Sequence, residues 1–150
     1  MPVIRYTNQA VLIFPSRSAN EGFARAAAAA FAAQLDPTLD ELGDVKTAVS
    51  EAVTNAIVHA YREQGGEILL EAALRDDGVL LLDISDRGCG IPDIARAMQP
   101  FYTTQPEKER SGMGFAVMQS FMDDVRVESQ VGVGTRVHME KRVREKNMEN

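Results

Sequence analysis

The sequence predicts an α+β fold, a two-layer sandwich in which a mixed β-sheet has helices packed on one face. Three observations support this. Five short segments have the composition of strands, and four of them form pairs joined by glycine-containing turns. Three other segments have helical character, from spacing or from composition. The length of 150 residues fits one domain, with a core over about residues 10–140 and a polar tail at 141–150.

The first half of the chain is predicted to form one strand and two helices. Residues 10–14 are an apolar strand that extends back toward Ile4. A helix follows from Ser18 or Asn20 to about Gln34, favoured by a run of alanines. A break at 36–38 precedes a second helix, which is predicted to reach about residue 61 because its apolar residues recur at helical spacing.

The second half is predicted to contain two hairpins separated by a long connection and a helix. The first hairpin joins strands 67–74 and 79–85, and the second joins strands 125–129 and 135–140. Residues 91–110 are irregular, as lids often are, and a third helix covers 114–121. One sheet face is left for water or a partner, and surplus apolar side chains there suggest a dimer surface.

Composition argues against several classes of function. The net charge of −6 disfavours nucleic acid or an anionic membrane as the main partner. No apolar run approaches the ~20 residues that cross a bilayer, and the N-terminus has no signal-peptide pattern. Cys89 is the single cysteine, so an internal disulfide is impossible and a cytoplasmic location is expected. With two histidines and one cysteine, a structural zinc site is not expected.

The first motif that suggests chemistry lies on the second predicted helix. Glu51 and Asn55 are four residues apart, so both side chains project from one side of the helix. An amide oxygen suits Mg²⁺ that is shared with phosphates, and a neighbouring carboxylate can act as a base near a γ-phosphate. Alone, the pair is more simply explained as a solvated helix face.

The second motif follows the strand at 79–85. Asp86 is placed to accept a hydrogen bond from an adenine amino group, while Gly88 and Gly90 allow the chain to approach a base closely. A plain turn at the end of a strand is the simpler alternative. Thr135 follows a glycine at the start of the last strand, and its hydroxyl is a candidate to support the Asp86–adenine contact.

The third motif is glycine-rich and opens the helix at 114–121. Gly112 and Gly114 leave free N–H groups at a helix start, where phosphate binds favourably. Neither a G-x-x-x-x-G-K-[ST] loop nor a G-x-G-x-x-G turn after a strand is present. The order of the three motifs therefore indicates an ATP site of a different type, because context strengthens motifs that are weak alone.

These motifs resemble the GHKL ATP-binding fold of gyrase-type topoisomerases, heat-shock chaperones, mismatch-repair ATPases and histidine kinases. The helix sequence E-A-V-T-N-A, the strand end D-x-G-x-G-I, the segment G-M-G-F and a late G-T provide the match. Within that group the chain is most similar to the sporulation anti-sigma F factors, which are serine kinases of spore-forming bacteria. The similarity covers about residues 10–140.

The resemblance implies roles for individual residues. Asn55 would ligate Mg²⁺, Glu51 would be the catalytic base and Arg110 would neutralise charge near the γ-phosphate. The remaining implied ATP or ADP contacts divide between the adenine and the lid with its phosphate cradle. They are Asp86, Gly88, Gly90, Ile91 and Thr135 at the adenine, and Thr103, Thr104, Ser111, Gly112, Met113 and Gly114 at the lid.

The resemblance also implies partners. The chain would form a homodimer, bind one sigma factor of the sigma F type, and phosphorylate a serine of a small antagonist protein. Arg25 matches the position of an arginine that contacts both partners in the family. Departures from the family pattern are Gln105 in place of a lid lysine, Cys89 in place of a small aliphatic residue and Ala60 in place of a glycine.

Other functions remain open from the sequence. The related kinase that restrains the general stress sigma factor has nearly the same motifs. A non-catalytic binding module gated by nucleotide would need Asn55 and the glycines but no base, so the presence of Glu51 argues against it. The ATP-binding half of a histidine kinase is disfavoured because the chain is too short for a dimerisation helix pair with a phosphoacceptor histidine.

Overall fold

The computed structural model describes Val3 and residues 5–61, 64–99 and 114–143. The described elements are five strands and four helices. In chain order they are β1 (Tyr6–Pro15), α1 (Ala19–Ala32), α2 (Leu39–Asn55), β2 (Glu67–Arg75), β3 (Val79–Asp86), α3 (Ile94–Ala97), α4 (Gly114–Phe121), β4 (Asp124–Gln130) and β5 (Gly134–Arg142). A 3₁₀ segment, Ala33–Leu35, follows α1, and a π-helical segment, Ala56–Ala60, follows α2.

The five strands form one sheet in the order β1-β2-β3-β5-β4. Every strand pair described is antiparallel, so the expectation of a mixed sheet was wrong. The physical reason lies in the second hairpin. The long connection does bring β4 back parallel to β3, but β5 turns back and inserts between them, so each contact is antiparallel.

The helices pack on one face of the sheet, as predicted. The core lies between this face and α1, α2 and α4, and side chains of period two along each strand point into it. Ile68, Leu82 and Met139 are examples, each 0% exposed. Alanines of α1, including Ala24 and Ala28, let that helix lie close against α2. The core therefore holds α2, with its candidate site residues, against the sheet.

The second helix has a capped start, and its helical geometry changes in the last turn. Thr38 caps its start through a reciprocal capping box with Glu41: the Thr38 hydroxyl accepts from the Glu41 N–H, and the Glu41 carboxylate accepts from the Thr38 N–H. The helix was predicted to continue to about residue 61. Instead its last turn, Ala56–Ala60, is π-helical, a geometry often found at functional sites.

One segment predicted as irregular contains a short helix. Within residues 91–99, α3 forms a single turn whose start is capped by Asp93, which accepts a hydrogen bond from the Arg96 N–H at 3.0 Å. The remainder of the segment predicted as irregular, from 100 to 110, lies outside the described residues.

The sheet face opposite the helices has an apolar end and a charged end. Val11 and Ile13 on β1 are 62% and 60% exposed. At the other end, Asp83 accepts from Arg136 and lies 2.9 Å from Nδ1 of His138. Nε2 of the same ring is 2.9 Å from Glu140. This imidazole is therefore bracketed by two carboxylates.

The free energy of unfolding should depend on pH through His138. Burial of the ring acts to lower the pKa of His138, but hydrogen bonds to Glu140 and Asp83 outweigh it and raise the pKa above 6.5. A raised folded-state pKa adds stability below about pH 6.5 that is lost as the pH rises through the folded value. Urea unfolding of wild type and His138→Gln should thus differ most at acid pH. An equal difference at pH 5.5 and pH 8.5 would contradict this.

Candidate nucleotide site

A cavity opens between the end of α2, the start of α4 and the strands β3 and β5. It encloses about 240 Å³ and has a mainly apolar lining. Its lining includes five of the predicted site residues: Asn55, Asp86, Ile91, Gly114 and Thr135. Apolar walls with a few polar groups at defined points are typical of small-molecule sites.

Asp86 lies at the end of β3 and presents a carboxylate to the cavity. Its Oδ1 accepts hydrogen bonds from the Gly88 N–H at 2.9 Å and the Thr135 N–H at 3.3 Å. Among the described residues nothing bonds to Oδ2. Burial raises the pKa of Asp86, although the two backbone N–H bonds act in the opposite direction. A partly buried carboxylate with one oxygen that no described residue bonds is suited to an amino group on a ligand.

Thr135 supports Asp86 in a way that the sequence did not indicate. Its hydroxyl was expected to take part, but the backbone N–H makes the bond. The Thr135 hydroxyl lies 2.8 Å from the hydroxyl of Ser129, directly across the β4–β5 pair. Ser129 in turn accepts from the Ile91 N–H at 2.7 Å. Ser129 was missed as a site residue, although the register of the predicted hairpin places it opposite Thr135.

The turn after Asp86 packs tightly against two other elements. Gly90 has φ +78°, and a Cβ there would lie 2.4 Å from the Gln130 carbonyl oxygen. Gly88 approaches the π-helical segment, because an added Cβ would lie 2.3 Å from the Ala60 carbonyl oxygen. That oxygen also accepts from the Cys89 N–H at 3.0 Å. The two glycines therefore permit the close packing that fixes the turn.

Glu51 and Asn55 meet at the start of α4. A Cβ on Gly114 would lie 3.1 Å from Nδ2 of Asn55 and 3.3 Å from Oε2 of Glu51. Both side chains thus project from α2 toward one helix N-terminus, as their spacing predicted. An amide oxygen and a carboxylate side by side offer the oxygen donors that Mg²⁺ prefers. The residues present therefore fit a magnesium ion shared with phosphates.

Arg25 lies outside the cavity, on the exposed side of α1. It donates to Glu21 at 3.1 Å, and the Ser50 hydroxyl also donates to Glu21. Ser50 directly precedes Glu51 on α2. Arg25 is thus connected through one carboxylate to the helix that presents the candidate base.

The remaining predicted site residues lie outside the described residues. They are Thr103, Thr104, Arg110, Ser111, Gly112 and Met113.

Comparison with known proteins identifies the family. Residues 14–141 match the family model of the histidine kinase-like ATPase domain. The chain is 54% identical to "Anti-sigma F factor" of Geobacillus kaustophilus (strain HTA426), covering 91% of this chain and 93% of the relative. It is 55% identical to the protein of the same name from Geobacillus stearothermophilus, covering 93% and 95%. This chain belongs to the anti-sigma F factor family. The recognition made from the motifs is thereby confirmed, together with the histidine kinase-like fold.

Solved structures show the same fold in more distant proteins. The RsbU and RsbW domains of Rv1364c from Mycobacterium tuberculosis align with a TM-score of 0.66 at 20% identity, covering 91% of this chain and 33% of that one. A blue-light activated histidine kinase from Erythrobacter litoralis EL346 aligns with a TM-score of 0.56 at 18% identity, covering 81% and 41%. At these identities the comparison shows a shared fold alone.

Membership of the family has direct consequences for the cavity. The match to a histidine kinase-like ATPase domain implies that the chain binds nucleotide. The cavity formed by α2, α4, β3 and β5 is lined by five of the residues that the motifs predict to contact the nucleotide. Within the described ranges no helix is long and apolar enough to cross a membrane.

Proposed function

We propose that this protein is an ATP-dependent protein serine kinase that also acts as an anti-sigma factor. It binds a sporulation sigma factor of the sigma F type and transfers phosphate from ATP to a serine of the antagonist of that complex. The main support is the identity of 54–55% to proteins named Anti-sigma F factor over nearly the whole chain. The position of Glu51 beside Asn55 and Gly114 adds a chemical reason to propose a kinase.

The adenine end of the site is assigned to the sheet. The Oδ2 atom of Asp86 accepts from the adenine amino group, while Thr135 and Gly88 hold Oδ1. Gly90 and Ile91 bring the chain close to the base. Because Asp86 is largely removed from water, a hydrogen bond to it is stronger than at the surface and favours adenine over bases without that donor.

The phosphate end is assigned to α2 and α4. Asn55 would hold Mg²⁺, which would supply positive charge at the phosphates. Glu51 takes the proton from the substrate serine while the serine oxygen attacks the γ-phosphorus. The bond from that phosphorus to the bridging oxygen breaks, and ADP leaves. Gly114 begins a helix whose N–H groups favour phosphate. We assign Thr103, Thr104, Arg110, Ser111, Gly112 and Met113 to the lid and phosphate cradle, with Arg110 near the γ-phosphate.

The partner surfaces are assigned separately from the nucleotide cavity. Arg25 contacts the sigma factor and the antagonist, supported by its 45% exposed side chain and its link through Glu21. The protein is a homodimer, for which the exposed Val11 and Ile13 on the outer sheet face supply apolar area. We place the protein in the cytoplasm, where sigma factors act.

Replacing Asn55 with alanine tests the proposed kinase activity directly. The purified chain is incubated with γ-labelled ATP, Mg²⁺ and the small antagonist protein, and label on an antagonist serine is counted. Asn55→Ala should reduce transfer by at least about 100-fold, since electrostatic stabilisation of the transferred phosphate is lost. Asn8→Ala, an asparagine on β1 that bonds Gln34, is the matched control and should transfer normally.

The alternatives give different results in this assay. ATP binding without transfer, for wild type as well as Asn55→Ala, would contradict the kinase and favour a binding module gated by nucleotide. Transfer to a general stress antagonist in preference to a sporulation antagonist would assign the chain to the related stress-response kinase.

A further inference from the structure

Tyr61 connects the end of α2 to the turn that follows Asp86. Its hydroxyl accepts a hydrogen bond from the Arg87 N–H at 2.6 Å and donates one to the Glu67 carbonyl oxygen at 2.5 Å. Arg87 is the residue immediately after Asp86, and Glu67 begins β2. A single side-chain oxygen thus joins three segments: the helix end, the first residue of a central strand and the turn behind the nucleotide cavity.

The ring of Tyr61 is held in place by a glycine. A Cβ on Gly66 would lie 2.3 Å from Cε1 of the ring, so any larger residue at this position would displace it. Gly66 is itself fixed by Ser16, whose N–H donates to the Gly66 carbonyl at 2.7 Å and whose hydroxyl accepts from the Gly66 N–H at 2.9 Å. The hydroxyl position of Tyr61 is therefore determined by packing.

Among the described residues, four hydrogen bonds attach the turn to other segments, and they differ in kind. One of them runs from the Cys89 thiol to the His59 carbonyl oxygen at 3.3 Å. Cys89 bonds through its N–H to Ala60 and through its carbonyl to the Gly132 N–H, and both bonds join backbone atoms. The attachment at Arg87 involves a side chain, Tyr61. It lies closest to Asp86, because the Arg87 N–H belongs to the peptide group that begins at the Asp86 carbonyl.

We propose that Tyr61 is a positioning residue that sets the direction of the Asp86 carboxylate and thereby the preference for adenine. The inference rests on the proposed role of Asp86 in accepting the adenine amino group. Without the Tyr61 hydroxyl, the Arg87 N–H loses its partner and the next N–H, that of Gly88, shifts. Because the Gly88 N–H holds Oδ1 of Asp86, the carboxylate then loses its alignment with that amino group. Contacts at the phosphate end, around Asn55 and Gly114, do not involve the peptide after Asp86, so they should be unaffected.

The test compares ATP with purine riboside triphosphate, which is identical except that it lacks the 6-amino group. Dissociation constants for both are measured for wild type, Tyr61→Phe, Gly66→Ala and the control Tyr6→Phe, an exposed tyrosine on β1. Wild type should prefer ATP by about tenfold or more, since the amino group bonds a carboxylate. Tyr61→Phe should bind ATP about three- to tenfold more weakly, with purine riboside triphosphate changed by less than about twofold.

Each outcome has a distinct meaning. Gly66→Ala, which displaces the ring, should reproduce the loss of preference, and Tyr6→Phe should behave as wild type. If Tyr61→Phe weakens both nucleotides equally, or neither, the positioning role is overturned while the proposed adenine contact stands. If wild type itself does not distinguish the two nucleotides, both the Asp86 assignment and the role of Tyr61 fail. Thermal melting of each variant shows whether the fold is intact.

Discussion

Replacing Glu51 with glutamine should remove nearly all phosphate transfer while ATP binding stays close to that of wild type. Glutamine has the same shape, so it still fits beside Asn55 and Gly114, but it cannot take up the proton of the substrate serine. General base catalysis contributes about 10²–10⁴-fold to such reactions, so kcat should fall by at least about 100-fold. The measurements are labelled transfer to the antagonist and an equilibrium titration with ATP.

The control for this prediction is a glutamate that does not line the cavity and lies on the outer face of the sheet. Glu128→Gln, on the exposed edge of β4, changes the net charge by the same amount and should leave transfer unchanged. Unaltered kcat in Glu51→Gln would remove Glu51 from the role of base. A parallel loss of ATP affinity would instead make Glu51 a binding residue.

Gly88→Ala should destabilise the protein and weaken nucleotide binding together. The added Cβ would lie 2.3 Å from the carbonyl oxygen of Ala60 and 2.5 Å from its carbonyl carbon, both backbone atoms of the π-helical segment. Moving them disturbs the Cys89–Ala60 hydrogen bond that attaches the turn to α2. Overpacking of this kind costs about 2–3 kcal/mol, and ATP affinity should fall by about tenfold or more as Asp86 shifts.

A second glycine supplies the matched control. Gly43 lies within α2, and a Cβ there would have nothing within 4 Å. Gly43→Ala should raise the free energy of unfolding by about 0.5–1 kcal/mol, since alanine favours helix, and leave ATP binding unchanged. If the contact with Ala60 matters, urea denaturation shows changes of opposite sign in the two variants, and ATP titration shows a loss of affinity in Gly88→Ala alone of the two. Equal changes in the free energy of unfolding and in ATP affinity for the two variants would show that this contact does not matter.

Local patterns predicted the elements well because each element depends on neighbouring residues. The bounds of α4 agree with the prediction, and those of β2 and β3 agree to within one residue. The arrangement of strands was harder, since pairing joins residues distant in sequence. Nothing in the β4–β5 hairpin itself indicates that β5, rather than β4, lies beside β3. That insertion makes the sheet antiparallel and corrects the mixed sheet that was expected.

The same distinction between local and distant information applies to the site. Glu51 and Asn55 share a helix face, so their spacing was enough to predict that they point the same way. Asp86 and Thr135 were expected near one another, but which Thr135 atom makes the contact depends on the register of β3 with β5. Tyr61 was missed because its partners, Glu67 and Arg87, come from two different strand ends. Only the three-dimensional structure shows that the Tyr61 hydroxyl bonds to both of them.

The insertion of β5 between β3 and β4 also affects how the chain folds and how much the connection between the strands can vary in length. Asp86 and Thr135 are 49 positions apart, so the central part of the sheet forms only after a long loop has closed. Contacts so distant in sequence slow folding. The entropy of closing such a loop grows slowly with its length, by about 0.6 kcal/mol for each doubling. Insertions and deletions in the connection between α3 and α4, beyond the closely packed turn at Gly88 and Gly90, should therefore cost the fold little.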